Sequence, residues 1–262
     1  MNVITGKEEI YMKDSRTLAF INLYAILGNL SRLCELVPEA RKLIENENVS
    51  LGIQVKNGPA ATLCFNNGVC TIEDGVDNCN IKLPFSSPEK FNGMIDGTVK
   101  PFPSKGFTKI GFLLNTFTKL TDILPKYLKA SEEDLKNEEF FKTSTILMLH
   151  VIAEAIAQIG NEDKVGKASA SYIDDGIAKL GIGDELGVGI EVKDHRLKVI
   201  HTMPDKYLSY MRFNDISLAR DLFDGKVNAV AAVGLGQVRI GGMISQIDNI
   251  NRILDRVALY LA

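Results

Sequence analysis

The feature that most constrains this chain is a segment that occurs twice. The first copy begins at Pro84 and reads PFSSPEKFNGMIDGTVKPFPSKGFTKIGFLLNTFTKLTDILPKYL. The second begins at Arg212 and reads RFNDISLARDLFDGKVNAVAAVGLGQVRIGGMISQIDNINRILDRVALYL. In each copy a Phe (Phe85, Phe213) precedes a short segment ending in Asp-Gly, a Gly-containing loop, a run ending in Ile-Gly, and a helical pattern. Neither copy carries recognisable catalytic side chains, so the repeat favours binding over chemistry.

Composition restricts the class of protein. The chain has 262 residues, of which 45% are hydrophobic and 24% charged, enough for one large core or two ordinary ones. The formal net charge of −3 argues against a nucleic-acid partner, which normally requires clustered Lys and Arg. Residues 1–14 are polar and lack a signal-peptide pattern. The most apolar stretch, residues 143–159, carries His150 and Glu154, which favours a buried helix and no integral membrane segment. We expect a cytoplasmic protein.

The first half predicts helices followed by strands. A helix is predicted from Asp14 or Ser15 to about Leu30, and a shorter one opens at Pro38. A meander of three antiparallel strands is predicted between residues 51 and 83, with turns at Asn57-Gly58 and Asn67-Gly68.

The rest of that half contains the first copy of the repeat. Ser87-Pro88 predicts the start of a short helix that ends at Gly97. Residues 107–112 predict a further strand, and residues 113–128 an amphipathic helix.

The second half repeats this order. Ser131-x-x-Asp134 predicts the start of a long helix that stops at Gly160. Leu180-Gly181-Ile182 echoes Leu51-Gly52-Ile53, and alternation continues through an Asp194-His195 turn to a strand at residues 207–213. The apolar residues predicted to be buried by the final helix are Ile244, Ile247, Ile250, Leu254, Val257 and Leu261.

These elements predict an α+β fold. Each half contains a mostly antiparallel sheet covered on one face by helices. No flexible linker separates the halves, and we place the two units at residues 1–130 and 131–262.

The repeat resembles the sterol carrier protein type 2 (SCP2) family of small lipid-binding domains. The residues that carry the resemblance are Ile81–Phe85, Ser87–Gly97 and Gly106–Leu124 in the first half, and Met211–Gly225 and Gly236–Leu254 in the second. The resemblance implies two tandem SCP2-like units, each with a five-stranded sheet and an apolar tunnel for sterols, fatty acids or acyl-CoA. The sequence departs from the family at Pro101-Phe102-Pro103, a proline pair that can narrow or reshape a tunnel mouth.

The candidate ligand-binding residues are large apolar side chains along the predicted seam between sheet and helices. They are Phe85, Phe91, Ile95, Phe107, Phe112, Phe117, Phe213, Leu222, Phe223, Ile240, Met243, Ile247, Ile250 and Leu254. An ordinary core would use the same residue types. The second copy replaces most of the Phe residues with Ala231, Ala232, Leu235, Gly242 and Met243. We therefore hypothesise that the second half holds the larger cavity.

Other motifs are incomplete. Gly234-Leu-Gly236 resembles the start of a dinucleotide fingerprint, but Arg239 stands where the third Gly is required. The four cysteines fit no zinc spacing, and a two-residue turn at Asn67-Gly68 places Cys64 and Cys70 on opposite faces. The three histidines fit no catalytic or metal motif. We expect no catalytic residue, no metal and no cofactor.

Two functions from different classes follow. The first is binding or carriage of an apolar small molecule or lipid in a sheet–helix cavity. The alternative is a non-catalytic interaction or regulatory module, in which the cavity is vestigial and the surface meets a protein partner. An enzyme ranks third.

Overall fold

The computed structural model describes residues 13–261, which form an α+β fold with two sheets. The chain divides into two compact units. The first spans Ser15–Leu147, and the second spans residues 148–261 together with residues 13 and 14. The boundary predicted at residues 130 and 131 lies inside the first of these ranges, and the assignment of two SCP2-like domains stays a prediction.

The first unit opens with a helical segment that matches the predicted one. Helix α1 (Ser15–Phe20) continues through a π-helical stretch, Ile21–Leu27, into α2 (Leu30–Leu36). Helix α3 (Pro38–Leu43) begins with proline at its first turn, where a missing N–H costs nothing.

The sheet of the first unit has four strands. They are β1 (Asn48–Val55), β2 (Ala60–Asn66), β3 (Val69–Asp74) and β4 (Ile81–Phe85), in the order β3-β2-β1-β4. The antiparallel part of the predicted meander is confirmed by β1, β2 and β3, but its last predicted strand, β4, pairs with β1 in parallel and not with β3. Asn80 fixes this pairing: its side chain accepts a hydrogen bond from the Ser50 N–H (3.0 Å), and its own N–H donates to the Ser50 carbonyl (2.9 Å).

The hairpin and the short helix of the first unit follow the prediction. Asn67 and Gly68 both have positive φ (46° and 87°), as an Asn-Gly two-residue turn requires. Helix α4 (Pro88–Ile95) is capped by Ser87, whose side chain accepts from the Lys90 N–H.

The strand predicted at residues 107–112 is wrong. The chain forms a 3₁₀ turn (Phe107–Lys109), a π-helical stretch (Phe112–Phe117) and helix α5 (Thr118–Leu128). In the described part of this unit no fifth strand forms, and one isolated β-bridge, between Lys82 and Lys105, stands in its place. The two prolines before it lack the N–H that a ladder needs. Phe112 is buried against Phe65, with ring centroids 5.1 Å apart, and this packing favours a helical backbone here.

The long helix differs from its prediction at both ends. Ser131 and Asp134 cap only a 3₁₀ turn (Asp134–Lys136), and helix α6 begins later, at Glu138, and runs to Glu162. Gly160 lies inside the helix. A Cβ there would stand 2.9 Å from Leu197 Cδ2, so the glycine serves close packing and not a helix end.

The second unit continues with helices and a five-stranded sheet. Its elements are α7 (Lys164–Ala170), β5 (Gly176–Ile182), β6 (Leu186–Lys193), β7 (Arg196–Ile200), β8 (Ser209–Phe213), α8 (Ile216–Phe223), α9 (Ala229–Gly234), β9 (Val238–Gly242) and α10 (Ile244–Leu261). The strand order is β7-β6-β5-β8-β9. The predicted Asp194-His195 turn is confirmed, since both residues have positive φ (49° and 60°). All pairs are antiparallel except β5 with β8.

The sequence echo between the units is shifted by two residues in the structure. The N–H of Lys56 donates to the carbonyl of Phe85 (2.9 Å), and the N–H of Gly183 makes the same bond to Phe213. Ile182 therefore corresponds to Val55, not to Ile53. Side chains of a strand alternate between its two faces, so a shift of two residues leaves each side chain on the same face of the sheet. The matched apolar residues of the two copies therefore still lie on corresponding faces.

Two helical segments are long and apolar enough to cross a membrane by length and composition, Ser15–Leu36 and Glu138–Glu162. Most of each apolar window is buried inside the structure, and core helices of soluble proteins pass the same test.

Candidate functional site

The sheet–helix seam of the first unit is filled by aromatic rings. Phe85, Phe91, Phe112 and Phe117 are all buried. Phe85 packs on Phe91 with centroids 5.2 Å apart. The remaining two predicted residues differ: Ile95 is half-buried, and Phe107 is 55% exposed.

The corresponding seam in the second unit is less completely covered. Phe213, Ile247 and Ile250 are buried. The other predicted residues, all half-buried, are Leu222, Phe223, Ile240, Met243 and Leu254. They come from α8, β9 and α10 and from the turn that precedes α10. Apolar side chains that remain part-exposed around a buried group form a surface that an apolar ligand can complete.

One substitution distinguishes the short helices of the two units. Asp215 caps α8 by accepting from the Leu218 N–H (2.9 Å), as Ser87 caps α4. Counting from these caps, Ala219 stands in α8 where Phe91 stands in α4. Both are fully buried, and the ring that packs on the strand Phe of the second unit comes instead from Phe223, whose centroid lies 5.6 Å from that of Phe213.

The final helix buries a different set from the predicted one. Ile244 is 59% exposed, so its predicted burial is wrong, and Leu261 is half-buried. The pattern missed Gln246, which is fully buried because its side chain accepts from Ser209 Oγ (2.5 Å) and donates to the Asp174 carbonyl (3.2 Å).

A pocket of about 480 Å³ lies on the first unit, away from the seam. Its lining includes Glu133, Asp134 and Glu139, beside the stacked rings of Tyr127 and Phe140. Burial, with the nearby charges of Glu39 and Glu139, raises the pKa of Tyr127. None of the predicted ligand-binding residues lines this pocket, and its carboxylates would repel the head of a fatty acid.

The segment before the final helix of each unit exposes large apolar side chains. In the first unit Phe102 and Phe107 are 75% and 55% exposed. In the second unit Val230 and Leu235 are 81% and 75% exposed. The Gly234–Arg239 stretch that resembles a dinucleotide fingerprint is the end of α9 followed by the entry to β9.

A buried charge cluster fixes the end of the second unit. The carboxylate of Asp163 accepts from the backbone N–H groups of Val165 and Gly166 and from the Tyr260 hydroxyl (2.7 Å), and it pairs with Arg256 at 2.8 Å. Burial by itself would raise the pKa of Asp163, but these hydrogen bonds and the Arg256 charge hold it below its ordinary range. The cluster is structural, because it caps α7 and ties it to α10.

The arrangement nearest to catalytic chemistry joins two histidines. His150 Nδ1 lies 3.0 Å from His201 Nδ1, and His201 Nε2 lies 3.0 Å from Glu154 Oε1. One Nδ1 donates to the other, and the carboxylate of Glu154 accepts from His201 Nε2. Sequence patterns could not find this pair, since 51 residues separate the two histidines. Within residues 13–261, no group of three or more His, Cys, Asp or Glu is placed to hold a metal ion.

The cysteines are free thiols packed in the first unit. Cys64 lies opposite Thr71, and Cys70 lies opposite Phe65, so the two sulfurs point to opposite faces, as predicted. A hydrogen bond with Cys34, together with burial, raises the pKa of Cys70 far above its ordinary value. Such a thiol is a poor nucleophile and metal ligand.

No protein-family model matches the chain, and no curated protein matches it significantly. Solved structures show a weak likeness. The sterol carrier protein domain 2 of Helicoverpa armigera is 16% identical with a TM-score of 0.34, covering 42% of this chain and 88% of that one. A conserved hypothetical protein from Thermus thermophilus, described as possibly a sterol carrier protein, is 16% identical with a TM-score of 0.30, covering 41% and 85%.

A third solved structure comes from another class. The stereoselective inverting sec-alkylsulfatase of a Pseudomonas species is 10% identical with a TM-score of 0.23, covering 55% of this chain and 28% of that one. All three TM-scores lie below 0.5, so these likenesses by themselves establish neither the fold nor the function of this chain.

Proposed function

We propose that this protein binds an apolar ligand of the sterol, fatty-acid or acyl-CoA class in the seam of its second unit. The observation that carries the proposal is the half-buried apolar set contributed by α8, β9 and the turn before α10, which includes Phe223, Ile240 and Met243. A ligand that covers these side chains gains about 0.8 kcal/mol for each methylene it buries. In the first unit Phe85, Phe91, Phe112 and Phe117 are already buried, so that seam would hold no ligand.

The same proposal treats the two units as tandem SCP2-like copies. Their short helices share a capping pattern, and the loops after them share a bond: Thr98 N–H donates to Gly93, and Lys226 N–H donates to Asp221, both at 2.8 Å. Four strands have the same order in each sheet, with the same parallel pair. We propose no catalytic step, and the protein would act by binding or carriage in the cytoplasm.

Native mass spectrometry of the purified full chain, with organic extraction, tests for a carried ligand. Titration with a fluorescent fatty acid and a fluorescent sterol then measures affinity. The matched pair of variants is Met243→Trp and Leu113→Trp, since both residues are half-buried and each lies two positions after its Ile-Gly (Ile240-Gly241, Ile110-Gly111). The indole ring of Met243→Trp should fill the seam and weaken binding of the fluorescent ligands at least about tenfold. The change at 113 should leave binding unaltered.

Equal losses in both variants would contradict the assignment to the second unit. Failure of the full chain to carry or take up any of these ligands would contradict apolar-ligand binding altogether. The exposed Val230 and Leu235 would then favour the alternative, a protein-interaction module.

A further inference from the structure

The segment from residue 97 to residue 121 of the first unit combines exposed apolar side chains with positive charge. It contains four lysines (Lys100, Lys105, Lys109 and Lys119) and no Asp or Glu, although the whole chain has a net charge of −3. Its exposed apolar residues are Phe102 (75%), Phe107 (55%), Ile110 (40%) and Leu114 (68%). We propose that this basic apolar segment is a membrane-docking surface, which binds leaflets that contain anionic lipids.

The segment is held in place and does not depend on flexibility to expose these side chains. Ser104 N–H donates to the Lys82 carbonyl (2.8 Å), and Lys82 N–H donates to the Lys105 carbonyl (3.2 Å), so the loop is tied to the edge of strand β4. Gly106, at φ 87°, passes so close to β4 that a Cβ would stand 2.5 Å from the Asn80 carbonyl oxygen. With its backbone anchored this way, the loop presents Phe102 and Phe107 to solvent as a contacting pair, with ring centroids 6.0 Å apart.

The positive charges of the segment are not neutralised within the part of the chain that the structure describes. None of the four lysines forms an ion pair with a described carboxylate. Lys105 Nζ and Lys109 Nζ donate instead to the carbonyls of Cys79 (2.7 Å) and Asn48 (3.2 Å). A neutral carbonyl positions an ammonium group without cancelling its charge, so the field of the segment remains positive.

The combination fits an anionic leaflet better than other negatively charged partners. Apolar side chains enter the boundary between headgroups and acyl chains, and lysines around them attract phosphatidylserine or phosphatidylglycerol headgroups. A single-stranded nucleic acid could stack bases on Phe102 and Phe107, but it would leave the aliphatic groups of Ile110 and Leu114 uncovered, whereas a leaflet covers all four.

The matching segment of the second unit lacks this charge. It exposes Val230, Leu235 and Ile244, but Lys226 is paired with Asp224 at 3.3 Å, which leaves Arg239 as the other cation between residues 225 and 247. The docking surface therefore belongs to the first unit. This inference goes beyond the proposed function, because it requires no ligand in the seam of the second unit.

Co-sedimentation of the full chain with vesicles tests the proposal directly. The probes are phosphatidylcholine vesicles with and without phosphatidylglycerol, at low and high salt. The variants are Phe102→Ser with Phe107→Ser, and Lys100→Glu with Lys109→Glu. Matched controls in the same unit are Val69→Ser, an exposed apolar residue (59%), and Lys129→Glu, a lysine outside the segment.

We expect binding to anionic vesicles that weakens in high salt and is absent with neutral vesicles. Replacing two lysines with glutamates should lower the partition coefficient by at least about 25-fold, at about fivefold for each lysine charge lost before the repulsion of the added carboxylates, and the Phe pair should lower it at least about tenfold. The controls should bind like the unaltered chain. Three results would each overturn the proposal. The first is equal binding of all variants, and the second is no binding of the unaltered chain to anionic vesicles. The third is binding to a single-stranded oligonucleotide, but not to vesicles, that is lost in the lysine variant.

Circular dichroism of each variant shows whether it is folded. Vesicle binding and fatty-acid binding are measured separately, so a protein that docks without taking up ligand supports this inference while it contradicts the proposed function.

Discussion

The rings of Phe85 and Phe91 lie edge to face, with their centroids 5.2 Å apart. Strand β4 supplies the first ring and helix α4 the second, so this contact joins helix to sheet at the centre of the first seam. In the second unit Ala219 stands at the place of Phe91, and the ring that meets Phe213 of β8 edge to face is Phe223 at the end of α8, with centroids 5.6 Å apart.

Removing the Phe91 ring should open the first unit. Phe91→Ala is expected to lower the free energy of unfolding of this unit by about 3–5 kcal/mol, since a buried ring is lost and a cavity remains. Urea unfolding followed by hydrogen exchange in β1 and β4 measures the change. Phe107→Ala is the control: its ring is largely exposed, and a loss of similar size there would contradict the packing described here.

Gly242 and Gly236 should respond differently to the same substitution. Both have positive φ (80° and 69°), so alanine at either position is strained by about 1 kcal/mol. A Cβ at Gly242 would also stand 2.1 Å from the Leu208 carbonyl oxygen, whereas nothing lies within 4 Å at Gly236. Gly242→Ala should therefore destabilise the second unit clearly more than Gly236→Ala, as thermal unfolding will show. Equal shifts in Tm for the two variants would contradict the close approach of Gly242, at the end of β9, to the Leu208 carbonyl.

Asp163 should make the second unit sensitive to acid. Its pKa in the folded protein is lowered by Arg256 and by its other hydrogen-bond donors, which outweigh the effect of burial. The stabilisation is thus fully present above the ordinary value of 3.8 and is lost as pH falls through the lowered folded pKa. Unfolding free energies measured across this range should fall more steeply for the unaltered protein than for Asp163→Asn.

A second substitution at Asp163 separates the contribution of its charge from its role as the cap of α7. Asp163→Ala removes a buried partner of Arg256 and should cost about 3–5 kcal/mol at neutral pH. Asp163→Asn keeps the side-chain oxygen that caps α7 and should cost less. An identical acid slope in Asp163→Asn and the unaltered protein would assign the acid sensitivity to another group.

The thiols should resist alkylation in the folded protein. Cys34, Cys70 and Cys79 are buried, and the pKa of Cys70 is raised by its bond with Cys34 and by burial. Burial and the charge of Glu73 also raise the pKa of the half-buried Cys64. Treatment with iodoacetamide at neutral pH should modify Cys64 slowly and the other three hardly at all, whereas all four should react in urea. Mass spectrometry of digests gives the rates, and fast labelling of Cys70 would contradict the packing of this hairpin.

Local signals in the sequence predicted local structure well. The Asn67-Gly68 turn, the Ser87 cap with Pro88, and the Asp194-His195 turn all depend on the conformations that a few adjacent residues adopt. The alternation of apolar residues predicted most strands, because the side-chain period of a strand is set by its own backbone.

Partners distant in the sequence decided what local pattern could not. The strand predicted at residues 107–112 is helical because Phe112 packs on Phe65 and two prolines precede it. Helix α6 continues through Gly160 because Leu197 and Ile253 fill the space beside it. The buried Gln246 and the His150–His201 pair depend on hydrogen bonds between residues 37 and 51 positions apart in the sequence. The spacing of apolar residues along the chain cannot predict such bonds.

For the candidate site, the sequence determined the list of apolar residues, and the tertiary structure decided how far each is covered. Both copies of the repeat contain apolar side chains at the right spacing for a sheet–helix seam. Burial, however, depends on where the helix supplies its ring: Phe85 meets the fully buried Phe91, whereas Phe213 meets the half-buried Phe223 at the end of α8. The repeated segment therefore determined a capped short helix and an apolar final helix in both halves, while packing between distant residues decided that one seam is filled and the other is left part-exposed.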